Sequence, residues 1–253
     1  MKKIRHFIFA AAVMALSPIM QSCLDDDDST PYYSELGTVI SNSENNKSQV
    51  KGDEYGISTI TNRDILKSFK VDSVGQRMLY TFVEDKNNDK DRVDSEVSKQ
   101  NIRIYDIYKV LTKKMNVLDK DTEEDIYGDD PIAITAKYVS EAHLNIRFQV
   151  RGSNSNIRHR ISLVGTPDAA PNADGVLNLE FRHNDEGDSP YEIKWGFVSF
   201  TLESIPGYTE GTLKKIILSY NSFNEKQEKT EIDIEKKDET SFKIKDFPNT
   251  KTK

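Results

Sequence analysis

The sequence predicts an all-β chain built as a small barrel followed by an antiparallel β-sandwich. Three observations carry that expectation. Apolar residues recur at period two over many short runs. The runs are cut by clusters of Gly, Asn, Asp, Ser and Pro, and none sustains a 3.6-residue period. An acidic stretch, 119–130, nearly free of apolar residues and closed by Gly128 and Pro131, divides the runs into a group of four or five and a group of about eight.

The elements follow in order. Residues 36–41, 55–61, 77–84 and 101–111 alternate as strands of the first group, with a short helix expected at 62–70. The second group comprises 132–140, 143–151, 156–164, 175–183, 193–202 and 214–220, with further short runs at 229–234 and 241–246. The organisation expected is a leader at 1–22, a tether at 23–33, a barrel at 34–113, a linker at 114–130 and a sandwich at 131–250. The linker is polar, so contacts across it should be sparse.

The leader is the most specific signal. Lys2, Lys3 and Arg5 precede an apolar run from 7 to 20, too short to span a bilayer as a helix, so it reads as an export signal. The run ends Met20-Gln21-Ser22-Cys23, which resembles the lipobox of bacterial lipoproteins. That resemblance implies that Cys23 is lipidated and becomes the first residue of the exported chain. Several acyl chains on Cys23 would anchor it stably, where one alone binds only marginally. Leu24 stands where an aspartate would resemble an inner-membrane retention signal, which favours the outer membrane. The tetrad Asp25, Asp26, Asp27 and Asp28 resembles the surface-export signal of Bacteroides-type lipoproteins, and it also serves as a solvated tether. Asp28-Ser29-Thr30 and Asp72-Ser73-Val74 resemble O-glycosylation acceptors of the same periplasm, the first favoured by its place in the tether.

Composition excludes several classes. The chain carries a formal −7, and removing the three basic residues of the leader leaves −10, a surface that repels phosphate backbones. With no basic stripe interleaved with aromatics, nucleic acid is not an expected partner. One cysteine allows neither an intramolecular disulfide nor a cysteine-based zinc site. Membrane contact should be through the lipid alone.

Further runs carry a family resemblance. These are the tether CLDDDD, Gly75-Gln76-Arg77-Met78-Leu79-Tyr80, residues 104–113 (IYDIYKVLTK), and the linker exit Gly128-Asp129-Asp130-Pro131-Ile132. With His159-Arg160-Ile161-Ser162-Leu163-Val164 and Leu179-Glu180-Phe181-Arg182-His183-Asn184, their order and spacing resemble the NigD-like lipoproteins of Bacteroides-type bacteria. The resemblance covers nearly the whole chain. It implies an N-terminal OB-like barrel and a C-terminal β-sandwich, and it implies no established activity. The family name associates some members with bacteriocin gene sets.

Several side-chain patterns offer candidate sites. Asp85, Asn87, Asp89 and Asp91, with Glu96 twelfth, have the oxygen spacing of an EF-hand loop. Lys90 stands where the sharp turn needs glycine and the flanks read as strands, so a polar hairpin tip is preferred. His143 alternates out of phase with Leu144, Ile146, Phe148 and Val150 and should face solvent. His159 and His183 fall in phase with apolar neighbours and should point at, or lie at the edge of, the sandwich core. If their strands adjoin, the imidazoles would meet over a metal or in a hydrogen-bond network, and the structural reading is preferred. Trp195, in phase with Ile193 and Phe197, should pack in the core, leaving Tyr105, Tyr108 and Tyr208 as the expected exposed aromatics.

Nucleophile elbows, zinc-protease motifs and phosphate loops are absent from the sequence. Asp168, Asp174, Asp185, Glu186 and Asp188 sit in turns where solvation is the default. The expectation is therefore a non-enzymatic, cofactor-free binding module on the outer membrane, contacting a protein or glycan. The alternatives are a bacteriocin-associated immunity or protective lipoprotein and, third, a cryptic hydrolase.

Overall fold

The first five strands close on themselves. The computed structural model describes residues 31–42, 47–85, 100–119, 124–140, 142–154, 156–224 and 226–234. Strands β1 (Tyr33–Ser41), β2 (Ser48–Gly52), β3 (Gly56–Ile60), β4 (Arg77–Glu84) and β5 (Gln100–Lys109) form a closed barrel in the order β1-β2-β3-β5-β4. Pairing of β1 with both β2 and β4 leaves no free edge, which is how a small barrel avoids exposing unpaired backbone. Alternation aims Val39, Val50, Met78, Tyr80, Phe82, Ile102 and Ile104 into the barrel core. The expected helix is α1 (Asp64–Ser68), and its Leu66 packs into that same core.

The barrel runs directly into the sandwich. After β5 only Val110 intervenes before β6 (Leu111–Lys113), which pairs in parallel with β12 (Glu192–Thr201). β12 pairs with β9 (His143–Gly152), and β9 with β8 (Ala133–Val139), giving a sheet of order β6-β12-β9-β8. The facing sheet joins β7 (Asn116–Val117), β10 (Arg160–Gly165), β11 (Val176–Asn184), β13 (Lys215–Asn221) and β14 (Gln227–Asp233) in the order β14-β13-β11-β10-β7. Leu144, Ile146, Phe148, Phe181, Val198, Phe200, Ile216 and Leu218 interdigitate between them. Among the described residues no helix is long and apolar enough to cross a membrane.

The 114–130 segment departs from the expected linker wherever it is described. Its β7 adds a parallel edge to β10. A short helix α2 (Glu124–Tyr127) follows, and Leu118 and Tyr127 bury against Val164. A few well-placed apolar residues suffice to dock a polar segment. A third apolar cluster of Leu36, Val110, Tyr138 and Phe197 joins barrel to sandwich. The described residues of barrel and sandwich, within 31–234, form one compact unit.

Candidate functional site

Two of the predicted histidines meet. His183 on β11 pairs across the ladder with Ile161, and His159 sits one residue before β10. Their rings stack with centroids 5.0 Å apart, and His159 Nδ1 lies 2.8 Å from His183 Nε2. His183 Nδ1 lies 3.1 Å from the Pro131 carbonyl, and His159 Nε2 lies 3.2 Å from Asp188 Oδ2. Asp188 is buried, contrary to the solvated turn expected for it, and accepts from Ser153 N and Oγ and from Asn154 N. Gly152 is required beside it, because an added Cβ would fall 2.6 Å from the Asp188 carboxylate.

The partners assign the protons. Pro131 only accepts, so His183 Nδ1 donates and its Nε2 accepts from His159 Nδ1. Burial opposes ionisation of Asp188, but bonds from His159, Asn154 and Ser153 outweigh it and hold the carboxyl well below the usual range. His159 Nε2 faces this carboxylate. Burial, and next the His159 charge, push His183 below an ordinary imidazole. The 2.8 Å nitrogen separation is that of a hydrogen bond. Two nitrogens on one tetrahedral zinc would stand about 3.3 Å apart. Among the described residues no group of three or more His, Cys, Asp or Glu is placed to hold a metal.

His143 corrects the sequence reading: it is buried. The face of β9 on which it lies is covered by the barrel, so both faces of that strand are interior at this end. Burial, and then the nearby Arg77 charge, lower its pKa to about 4. Sequence reasoning missed the group that covers it. Arg77 of β4 is 1% exposed and forks onto Asp53 at 2.7 and 2.6 Å. It also donates to Asn145 Oδ1 of the sandwich at 2.8 Å. Ser199 Oγ donates to the same Asn145 oxygen, and Tyr138 OH donates to Asp53. An arginine in phase with Leu79, Thr81 and Val83, on a strand whose other face fills the barrel, was the available signal. A second buried carboxylate, Glu35, accepts from Tyr80 OH at 2.5 Å and from Glu54 N and Tyr55 N. Burial raises its pKa despite these bonds.

The aromatic expectations divide. Tyr105 is half exposed and meets Tyr32 edge-on. Tyr108 stacks on Trp195 at 5.2 Å. Trp195 thus packs against the barrel rather than inside the sandwich, because its face of β12 points outward. Tyr208 is partly buried against the sandwich core, not displayed. Asp85 accepts from Thr61 Oγ1, whereas Asn87, Asp89 and Glu96 lie outside the described residues. Ser73 is exposed in the turn before β4, while Cys23, Leu24, Asp25, Asp26, Asp27, Asp28 and Ser29 lie outside the described residues.

Residues 115–234 match the family model of the NigD-like C-terminal beta sandwich domain. The chain is similar in fold to a protein of unknown function from Bacteroides vulgatus (21% identity, 85% of this chain and 98% of that one, TM-score 0.68). It is also similar to a protein named as toxin-related from Parabacteroides distasonis (25%, 81% and 95%, TM-score 0.60). A third likeness is to a NigD-like immunity protein from Bacteroides caccae (15%, 78% and 91%, TM-score 0.57). No curated protein matches the chain.

Proposed function

We propose, from the match of residues 115–234 to the family model of the NigD-like C-terminal beta sandwich domain, that the chain is a lipid-anchored, surface-displayed binding module without enzymatic activity. The observation that carries the non-enzymatic part is how its buried ionisable groups end. The His159–His183 chain stops at the Pro131 carbonyl on one side and at Asp188, capped by Ser153 and Asn154, on the other. Arg77 is committed to Asp53 and Glu35 to Tyr80. A general acid or base needs an atom within reach of a substrate proton, and these atoms are engaged inside the fold. Support for the anchor is the Met20-Gln21-Ser22-Cys23 run and the acidic tetrad after it.

The test of the anchor is Cys23→Ser in cells fed labelled palmitate. The expected result is loss of label together with release from the membrane fraction, or retention of the uncleaved precursor. A labelled, outer-membrane Cys23→Ser protein would overturn the reading. The names of the P. distasonis and B. caccae structures favour a second reading, in which the module protects against a toxin. That reading requires loss of protection on deletion of the gene.

A further inference from the structure

The end of the barrel where β1 begins carries a group of tyrosines. Tyr33 stacks on Phe82 with ring centroids 5.6 Å apart, and Tyr55 meets both rings edge-on at 5.6 and 5.8 Å. Phe82 belongs to the barrel core and Tyr33 packs against it, while Tyr55 is 40% exposed. Tyr32, the residue before β1, is 58% exposed and meets Tyr105 of β5, 50% exposed, edge-on at 5.2 Å. Tyr32 and Tyr33 are consecutive, so the outer pair and the inner trio share this end of the barrel. Apolar residues exposed singly need no explanation, whereas a group of them marks a contact surface.

Tyr105 is displayed by a break in the ladder. Phe82 pairs with Ile104 and Thr81 with Asp106, so Tyr105 is an extra residue of β5 with no partner on β4. Such a β-bulge re-aims the side chain it carries, and bulges concentrate at barrel rims. A tyrosine ring is apolar along its body and polar at its hydroxyl, the combination that settles at the headgroup level of a bilayer. Tyr32 is nine residues from Cys23, so a lipid on Cys23 would hold it within about 30 Å of the bilayer. At that range a weak surface affinity suffices, because the tether makes binding intramolecular at high effective concentration. A soluble ligand gains nothing from the tether.

We propose that this end of the barrel seats Tyr32, Tyr55 and Tyr105 in the headgroup layer of the membrane that holds Cys23. The proposal rests on the anchor reading and adds an orientation to it, so that the lipid is not the only membrane contact. The full-length lipidated protein is reconstituted in phosphatidylcholine vesicles with a benzophenone side chain in place of Tyr105, and lipid adducts are measured by mass spectrometry after irradiation. The same probe in place of Tyr191, which is 87% exposed at the entrance to β12, is the reference. Adducts at the Tyr105 position should exceed those at the Tyr191 position about tenfold. Tyr32→Ser, outside any strand, should cut the Tyr105 adducts about threefold, and Tyr32→Trp, which keeps an interfacial aromatic, should retain them. Unchanged melting points check that the variants fold. Equal adducts at the Tyr105 and Tyr191 positions overturn the proposal. So do Tyr105 adducts that Tyr32→Ser leaves intact, since the tether alone would then bring the barrel to the lipid. On intact cells, Tyr105 adducts to a protein or a glycan with none to lipid overturn it as well. The mass of the Cys23 peptide reads the anchor separately. If it carries no acyl group the anchor reading fails, and Cys23, the only cysteine, is coupled to a maleimide phospholipid so that the same adducts still test the tyrosines.

Discussion

Replacing Asp53 by alanine isolates the contact that locks barrel to sandwich. Arg77 is 1% exposed and Asp53 12% exposed at the side chain, and two short N–H···O bonds join them. Arginine does not shed its proton, so Asp53→Ala leaves a buried cation whose remaining partners are neutral: Asn145, Thr38 and Ser199. Breaking one side of a buried pair costs about 3–5 kcal/mol. Tyr138 OH also loses its acceptor, adding about 1 kcal/mol. At about 2–4 °C per kcal/mol for a domain of this size, the melting temperature should fall by about 8–24 °C. Circular dichroism melts at pH 7 measure this, and one transition is expected because the two parts share the network. The double variant Asp53→Ala/Arg77→Met, which leaves no unpaired charge, should recover more than half the loss. A fall under about 3 °C, or strictly additive losses in the double variant, would refute the reasoning.

Three further outcomes follow from the same geometry. His143 has its pKa lowered to about 4, so between the unfolded value near 6.5 and about 4 the unfolded chain binds the extra proton. Stability should therefore fall with pH across that window, by about 2 kcal/mol from pH 7 to 4.5 in urea titrations, and His143→Phe should flatten the slope. His159→Ala or His183→Ala should each cost about 1–3 kcal/mol by leaving buried partners unpaired, while zinc or nickel leaves the parent's melting point unmoved. A metal-dependent rise lost in both variants would reopen the metal reading. Gly52→Ala should destabilise by about 1–3 kcal/mol, because its Cβ would occupy the space of the Glu35 carboxylate; an unchanged melting curve would show that Glu35 can move aside.

What could be read from the sequence was what a single strand decides by itself. Period two placed His183 beside Leu179 and Phe181, and the pairing of β10 with β11 then brings it to His159. What could not be read depends on a second element covering a face. His143 and Trp195 were assigned opposite surroundings by phase, yet both lie on the outer face of one sheet, and the barrel reaches over part of it. Asp188 sits in a turn rich in polar residues, and only the fold shows that Ser153 and Asn154 close around it. The 114–130 stretch reads as linker by composition, because Leu118 and Tyr127 are too few to signal burial until Val164 is beside them. Arg77 carried no visible partner, since Asn145 lies 68 residues away.

The most direct test of surface display by the Cys23 anchor is protease shaving of intact cells. Proteinase K should remove the wild-type protein while a periplasmic marker survives, and replacing Asp25, Asp26, Asp27 and Asp28 by asparagine should make the still-lipidated protein resistant. A wild-type protein that withstands the protease until the outer membrane is broken would contradict the account.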